Sequence, residues 1–282
     1  MADKILRFFP AGFNRLIEPF AGSAAISIAS AFYFKADHFV INDINRPLID
    51  LWNMIIDNPQ YIVGQYNDIW HGQQGNEEAY YYEIRNRFNE TRQPEYLLFL
   101  LAKCVKAAVR YNAQGNFNQS PDKRRLGRNP RMMRDDILGA SQLLKGKTEI
   151  YSTDYSHILE NATPNDLIYM DPPYQGTGQN GGFNYAENID FKDFIISLYE
   201  LNKKNIPYIL SFDGRTGGKP LPDALNLAKM EINAGRSTQA TLLSREEYTY
   251  EAVYLSPSLT ERIDMRRIER QNYQPELFAR CE

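Results

Sequence analysis

The feature that most constrains the fold is a strand, a glycine turn, a helix and a second strand within residues 15–43. Arg15-Leu16-Ile17-Glu18 predicts a short buried strand, which ends at Pro19-Phe20-Ala21-Gly22-Ser23. The small apolar stretch Ala24–Phe34 predicts a helix, and His38-Phe39-Val40-Ile41-Asn42 predicts a strand that ends at Asp43. Such a unit is typical of a doubly wound α/β sheet, in which ligands bind beyond the carboxyl ends of the strands.

A helical segment interrupts this α/β pattern, which then resumes. Pro47 lies in the first turn of a helix predicted over Leu48–Asp57. Helical periodicity follows at Tyr61–Trp70, Glu77–Asn89, Pro94–Val109 and Asp135–Leu144. The later pattern predicts strands Glu149–Tyr151, Leu167–Met170 and Tyr208–Phe212, a helix Phe191–Asn205, and an antiparallel edge pair Ala228–Ile232 and Tyr250–Leu255. We therefore expect one α/β domain made of residues 1–46 and 146–282, with residues 47–145 inserted as a helical lobe.

Composition excludes several classes of protein. Hydrophobic residues make up 43% of the 282 residues and charged residues 24%, as in globular proteins. No apolar run reaches 18 residues, so we expect no membrane span, and the first residues lack a signal-peptide pattern. Cys104 and Cys281 form neither a disulfide framework nor a zinc spacing, so no metal site is expected. These features favour a cytoplasmic protein, monomeric or weakly dimeric.

The turn at Gly22 and the acidic strand ends suggest a nucleoside site. A glycine turn into a helix lets a ligand approach backbone N–H groups, although G-x-G-x-x-G is absent and a dehydrogenase is not supported. Asp43 follows the second strand and could accept from ribose hydroxyls or act as a turn residue; beside the Gly22 turn, the nucleoside interpretation is favoured. Asp154 could contact an adenine amino group or cap the next segment, and the sequence leaves both open.

The tetrapeptide Asp171-Pro172-Pro173-Tyr174 follows the buried run Leu167–Met170. Two prolines stiffen the chain and donate no N–H, so the Asp171 carboxylate and the Pro172 carbonyl remain as acceptors. Two acceptors aimed at an exocyclic amino group would make its nitrogen more tetrahedral and more nucleophilic. Tyr174 offers a face on which a base removed from its duplex could stack. A proline-stiffened turn explains Asp-Pro alone, but not the whole tetrapeptide after a buried strand.

Together these motifs resemble the Dam-like (D12 class) N6-adenine DNA methyltransferases. The resemblance rests on Asp171-Pro172-Pro173-Tyr174, on Glu18-Pro19-Phe20-Ala21-Gly22-Ser23-Ala24 and on Ile41-Asn42-Asp43, and it covers nearly the whole chain. It implies S-adenosyl-L-methionine as cofactor and a catalytic role for Asp171, Pro172, Pro173 and Tyr174. It further implies cofactor contacts from Glu18, Pro19, Phe20, Ala21, Gly22, Ser23, Asp43, Ile44, Asp154, Tyr155 and Asp171.

The resemblance also implies a fold and a function. The fold is α/β: a Rossmann-like seven-stranded methyltransferase sheet with a reversed edge strand and an inserted helical DNA-recognition lobe. Residues 1–46 and 146–282 would be the catalytic domain, and residues 47–145 the target-recognition insert. The function would be sequence-specific methylation of a flipped adenine in double-stranded DNA within a restriction-modification system, where a cognate restriction endonuclease is an expected partner.

Two departures from the family pattern carry expectations. Ala24 stands where the family has glycine, and we expect little harm because alanine is small. The family's P-G-x-K-like segment before the first helix is missing, because the helix predicted over Asp3–Phe9 starts almost at Met1. This favours an alternative: a DNA-binding, catalytically weak subunit that needs a partner or an upstream segment. A cytosine-N4 or RNA amino methyltransferase is a further alternative, although Asp171 favours adenine.

A basic island lies in the insert of a chain whose net charge is −3. Between Arg110 and Arg134, Asp122 is the only acidic residue. Cations neutralise phosphates, and Arg, Asn and Gln can read base edges in the major groove. We therefore predict DNA contacts from Arg110, Asn112, Asn118, Lys123, Arg124, Arg125 and Arg128, although the asparagines could equally form the loop. Arg215 and Lys219, in the loop after Phe212, are further candidates for phosphate contacts, and Tyr185 is a candidate for shaping the base pocket.

Overall fold

One mixed sheet organises the chain. The computed structural model describes residues 1–105, 109–173, 189–212, 221–236 and 248–266. Seven strands are present in the order β3-β2-β1-β4-β5-β7-β6, with β1–β5 parallel and β7 antiparallel to both of its neighbours. Their bounds are β1 Leu16–Glu18, β2 Phe39–Asn42, β3 Thr148–Tyr151, β4 Leu167–Met170, β5 Tyr208–Ser211, β6 Ala228–Arg236 and β7 Tyr248–Leu255. The predicted α/β fold and its antiparallel edge pair are confirmed.

Helices connect the strands of this sheet, and the segment between β2 and β3 is mostly helical. Their bounds are α1 Ala2–Ile5, α2 Ala25–Phe32, α3 Arg46–Asp57, α4 Pro59–Gly72, α5 Glu77–Thr91, α6 Pro94–Lys103, α7 Pro130–Leu144, α8 Tyr155–Glu160, α9 Phe191–Lys203 and α10 Pro257–Thr260. Short 3-10 helices occur at Leu6–Phe8 and Asp223–Leu225. Within the described ranges, no helix has the length and apolarity that crossing a lipid bilayer requires.

Alternate residues of the central strands enter two different cores. Leu167 and Tyr169 of β4 pack into the core that includes the helices α2–α7, whereas Ile168 and Met170 pack with α8 and α9. This follows from the two-residue period of a strand. Every residue of β4 is buried, as expected for a parallel strand covered on both faces. The buried strand ends therefore hold the loops that follow them in fixed positions.

Two predicted helix bounds in the insert were wrong. The helix predicted to reach Val109 ends at Lys103, because Cys104 turns to extended geometry and forms a bridge with Pro121. The helix predicted from Asp135 begins instead at Pro130, since Asn129 caps it by accepting a hydrogen bond from the backbone N–H of Arg131. The segment between these helices is therefore tied to α6 by backbone pairing.

The turn after β1 uses left-handed backbone at two positions. Gly22 has φ +51° and Ala24 has φ +47°. The indole Nε1 of Trp52 in α3 donates to the Gly22 carbonyl oxygen at 2.9 Å and fixes the turn. Left-handed geometry costs a residue with a Cβ roughly 1–2 kcal/mol. The left-handed backbone therefore explains why the family pattern has glycine at the position of Ala24. The small size of the alanine side chain does not remove this conformational cost.

We predict that Gly22→Ala lowers the free energy of unfolding by about 1 kcal/mol. No heavy atom lies within 4 Å of a Cβ built at Gly22, so the loss arises from backbone conformation rather than from a clash. The matched control is Gly139→Ala in α7, where a Cβ also meets nothing within 4 Å. That change should raise stability by up to about 1 kcal/mol. Urea denaturation measures both; equal effects of the two substitutions would contradict the assignment.

Candidate active site

A cavity of about 310 Å³ lies beyond the carboxyl ends of β1, β2, β3 and β4. Its lining combines residues from the Gly22 turn, from the segments after β2 and β3, and from the tetrapeptide. The lining residues are Pro19, Phe20, Ala21, Gly22, Ser23, Asp43, Ile44, Asn45, Leu48, Val109, Thr153, Asp154, Tyr155, Asp171, Pro173 and Ile189. Two wider surface depressions, of about 670 and 820 Å³, contain none of these residues. The arrangement matches the position at which doubly wound sheets bind their ligands.

The carboxylate of Asp43 joins two sides of the cavity. Its Oδ2 accepts from the backbone N–H of Gly22 at 3.0 Å, and its Oδ1 accepts from the backbone N–H of Asn45 at 2.9 Å. Burial raises the pKa of the Asp43 carboxyl, and these two N–H groups oppose that rise. Each carboxylate oxygen can accept more than one hydrogen bond, so Asp43 can brace the turn and still bind a ligand hydroxyl.

Glu18 lies beneath the cavity rather than on its surface. The side chain is buried, and its Oε1 accepts from the backbone N–H of Ser27 at 2.6 Å, in the first turn of α2. The pKa of the Glu18 carboxyl is raised to about 7; burial is the largest cause, the hydrogen bond from Ser27 opposes the rise, and the charge of Asp171 adds to it. Glu18 therefore caps α2 and interacts electrostatically with Asp171, the first residue of the tetrapeptide. Its predicted contact with the cofactor stays a prediction.

Asn42 is a structural member of the site that the sequence analysis missed. This fully buried amide donates from Nδ2 to the carbonyl oxygens of Pro19 and Thr153, at 2.9 and 3.1 Å. Its Oδ1 accepts from the backbone N–H of Thr153 at 3.0 Å. Asn42 thus joins the loops that follow β1 and β3. A buried asparagine at the end of an apolar strand was the available signal.

Asp154 has the capping role that the sequence left open, whereas its contact with an adenine amino group stays a prediction. Its Oδ1 caps α8 by accepting from the backbone N–H of Ser156 at 2.9 Å, and the residue also lines the cavity. The neighbouring Tyr155 packs its ring against Phe20, with centroids 5.1 Å apart, and against Phe194 at 5.8 Å. These rings give the cavity an apolar wall beside the carboxylates of Asp43 and Asp154. Such a mixture suits a nucleoside, whose flat base is apolar and whose sugar is polar.

The tetrapeptide begins at the mouth of the cavity. Asp171 is exposed, Pro172 is buried, and Asp171 and Pro173 both line the cavity. This places a carboxylate at the boundary between the cavity and solvent, directly after the buried strand β4. Tyr174, like the candidates Tyr185, Arg215 and Lys219, lies outside the described residues. The glycine- and asparagine-rich segment Gly176–Gly182, for which the sequence predicts a loop, lies outside them as well.

The sequence predicts a polar loop over Arg110–Arg131, and its first part, residues 110–118, is a short antiparallel hairpin. Tyr111 and Phe117 form its bridge, and the backbone N–H of Asn118 donates to the Arg110 carbonyl at 3.0 Å. Asn112 builds the tip, because its Oδ1 accepts from the backbone N–H groups of Gln114 and Asn116. Arg110 and Asn118 are exposed on the face opposite the bridge. Asn112 therefore helps to form the loop, which is the alternative to a DNA contact that the sequence left open. Arg110 and Asn118 are exposed to solvent.

The cations after the hairpin have acidic partners. Arg124 forms two hydrogen bonds to the Asp122 carboxylate, both at 3.0 Å, and lowers the pKa of that carboxyl to about 2. Arg125 also pairs with Asp122, at 3.4 Å. Lys123 contacts Glu78 at 2.8 Å, and Arg128 contacts Asp136 at 2.9 Å. Much of the basic island is therefore neutralised within the chain. Arg110 makes no ion pair with any residue in the described ranges.

Fold and site together define an α/β methyltransferase with a seven-stranded sheet, a cavity at its carboxyl edge and a helical region between β2 and β3. The particular family follows from comparison with known proteins. The profile of the D12 class N6 adenine-specific DNA methyltransferases matches residues 1–221, and the chain belongs to that family. Members of the family depend on S-adenosyl-L-methionine.

Three curated relatives illustrate the similarity. The DNA N-6-adenine-methyltransferase of Escherichia phage P1 is 28% identical over 195 residues, which are 67% of this chain and 24% of that protein. The type II methyltransferase M1.LlaDCHI of Lactococcus lactis subsp. cremoris is 24% identical over 258 residues, 85% of this chain and 86% of its own length. The DNA adenine methylase of Haemophilus influenzae is 28% identical over 194 residues, 67% of this chain and 65% of that protein.

The buried Glu18 generates a prediction about pH. Its pKa is raised from 4.5 to about 7 in the folded chain, so the folded state binds an extra proton between these values. Glu18 therefore contributes stability that is fully present below pH 4.5 and is lost as the pH rises through 7. Glu18→Gln keeps an acceptor for Ser27 and should flatten the decline of the free energy of unfolding between pH 5 and 8, by up to about 3 kcal/mol.

Urea denaturation at several pH values measures this effect. Glu160→Gln, at an exposed position of α8, is the matched control and should give a curve parallel to that of the unsubstituted protein. A Glu18→Gln curve that is also parallel would show that Glu18 does not hold its proton near neutral pH.

Proposed function

We propose that this chain methylates the N6 amino group of a specific adenine in double-stranded DNA, with S-adenosyl-L-methionine as methyl donor. One observation carries the proposal: a single cavity is lined by the Gly22 turn, by Asp43 and by the first and third residues of the Asp171-Pro172-Pro173-Tyr174 tetrapeptide. A nucleoside site thereby adjoins a pair of rigid acceptors. Membership of the D12 class supports the same reaction.

The polarity of the cavity lining suits the cofactor. Asp43 offers carboxylate oxygens to ribose hydroxyls, and Gly22 allows close approach to the backbone. Phe20, Ile44 and Tyr155 provide apolar surface for an adenine ring. Pro19, Ala21, Ser23, Asp154 and Asp171 also line the cavity, and Glu18 beneath it completes the proposed binding set. When bound, the cofactor supplies an electrophilic methyl group on a positively charged sulfur, which the nearby carboxylates favour electrostatically.

Asp171 and Pro172 would orient the target amino group. The Asp171 carboxylate and the Pro172 carbonyl each accept one N–H of that group, which localises the nitrogen lone pair toward the cavity. The two prolines hold these acceptors rigidly, and rigid orientation contributes strongly to rate. Tyr174 is assigned a stacking role against the flipped base on the strength of the sequence pattern alone.

We propose that residues 47–145 recognise the target sequence and that residues 1–46 and 146–282 carry out catalysis. Two facts support this division: the hairpin at 110–118 exposes Arg110 and Asn118, and the adjoining Val109 lines the cavity. A hairpin that contacts DNA bases beside the reaction site can select the base that enters the site. Lys123, Arg124, Arg125 and Arg128 would contribute phosphate contacts by exchanging internal carboxylate partners for DNA.

A restriction-modification system is the proposed setting, with a cognate endonuclease as partner. The Lactococcus relative is named a type II methyltransferase, and a Streptococcus sanguinis relative, 26% identical over 222 residues, is named a modification methylase. Methylation of a specific site would then protect host DNA from the partner enzyme.

The decisive experiment incubates the chain with labelled S-adenosylmethionine and mixed-sequence duplex DNA, followed by nucleoside analysis. We expect label in N6-methyladenine. Asp171→Ala should reduce turnover at least about a hundredfold, because one of the two acceptors is lost, while the cofactor dissociation constant changes little. Asp171→Asn retains one oxygen acceptor and should keep more activity than Asp171→Ala. Label in cytosine, or near-normal turnover of Asp171→Ala, would refute the assigned reaction or the assigned residue.

The ion pairs predict unequal roles for two arginines in DNA binding. Arg110→Ala should reduce the slope of log K against log salt concentration by about one, since an unpaired cation that contacts phosphate releases a counterion. Arg124→Ala should change the slope less, because Asp122 already neutralises Arg124. Fluorescence anisotropy over a salt series measures both variants. An Arg110→Ala slope equal to that of the unsubstituted protein would place Arg110 outside the DNA interface, and equal reductions in both variants would show that Asp122 does not keep Arg124 from phosphate.

A further inference from the structure

Asn45 has an unusual arrangement at the edge of the cavity. It precedes α3, yet its side chain makes no capping hydrogen bond to that helix, although asparagine is a preferred cap. The residue is 5% exposed and lines the cavity. Its Nδ2 is a buried donor that has no partner among the residues that the structure describes. Such a donor is costly to leave unsatisfied and indicates a ligand atom that accepts from it.

Tyr111 fixes the orientation of this amide. Its hydroxyl donates to Asn45 Oδ1 at 3.2 Å, across 66 positions of sequence. With Oδ1 engaged in this way, the two N–H bonds of Nδ2 must point elsewhere, and the cavity adjoins them. Tyr111 belongs to the hairpin and packs its ring on Phe117, with centroids 5.9 Å apart. Phe117 is in turn buried against Phe88 of α5 at 6.0 Å.

The backbone of Asn45 reaches the nucleoside site by a second route. Its N–H donates to Asp43 Oδ1, and the other oxygen of Asp43 holds the Gly22 turn. A hydrogen-bonded path therefore runs from the hairpin through Tyr111 and Asn45 to Asp43 and Gly22. Every bond of this path is a direct contact, and Asn45 touches both the hairpin and the carboxylate.

We propose that Asn45 is a further cofactor-binding residue, which donates from Nδ2 to an oxygen or ring nitrogen of the cofactor nucleoside, and that Tyr111 is its positioning residue. Through this pair, the position of the DNA-facing hairpin sets the affinity for the cofactor. The inference rests on the proposed function, and it adds to that function a coupling between the two substrates. Thermodynamic reciprocity requires that the cofactor strengthen DNA binding by the same factor.

Calorimetry with S-adenosylhomocysteine, in the absence and presence of duplex DNA, tests the proposal. Asn45→Asp keeps an acceptor for Tyr111 but removes the donor, and it should weaken binding of S-adenosylhomocysteine by about tenfold or more. Tyr111→Phe keeps the ring on Phe117 and should weaken binding less. The unsubstituted chain should bind S-adenosylhomocysteine more tightly when DNA is present, and Tyr111→Phe should remove most of that difference.

Tyr81→Phe is the matched control, because the Tyr81 hydroxyl donates to the carbonyl of Gln119 at 3.0 Å, just beyond the same hairpin, without contacting Asn45. It should leave the effect of DNA on binding of S-adenosylhomocysteine unchanged. Thermal unfolding of each variant verifies that it is folded. Unchanged binding in Asn45→Asp, or equal loss of coupling in Tyr111→Phe and Tyr81→Phe, would overturn the inference and leave the proposed function standing. Failure of the unsubstituted chain to bind the ligand would overturn both.

Discussion

The hydrogen bonds of the Asp43 carboxylate hold the candidate site together. One oxygen binds the turn after β1 and the other binds the segment that starts α3. Both segments are irregular backbone, and irregular backbone keeps its geometry only where other groups satisfy its N–H groups. The left-handed residues Gly22 and Ala24 depend on this support, as does the position of Asn45. A ligand that binds Asp43 thus meets a site whose shape is set before it arrives.

The sheet explains why these groups converge. Parallel strands end at the same edge, so the residues after β1, β2, β3 and β4 meet although they lie far apart in sequence. Burial of β4 on both faces prevents its register from shifting, because a shift by one residue would exchange the two cores. The stiffness that the two prolines give to the tetrapeptide therefore extends into the sheet. Asp171 is placed by the whole fold, and not by its local turn alone.

Sequence patterns predicted what depends on periodicity and on neighbouring residues. The apolar run Leu167–Met170 predicted a central strand, and the turn at Gly22 predicted a site at the strand ends. Burial and turn chemistry supply these predictions because they are local signals. Contacts between distant segments have no such signal. The pairing of Lys123 with Glu78 and the bond between Tyr111 and Asn45 depend on how α5 and the hairpin pack. The sequence alone consequently overstated the net positive charge of the basic island, because it does not show these ion pairs. The early end of α6 has the same origin, because the bridge from Cys104 to Pro121 overrides helix propensity.

The two carboxyl groups Glu18 and Asp171 interact electrostatically from unlike surroundings, and this difference bears on the chemistry. Glu18 is buried, which raises its pKa to about 7, so a large share of molecules carry a proton there at neutral pH. Asp171 is exposed and lines the cavity. A protonated Glu18 adds no negative charge behind the tetrapeptide, and it still accepts the N–H of Ser27. Burial of Glu18 therefore keeps the cap that starts α2 and limits the negative charge beneath the cavity.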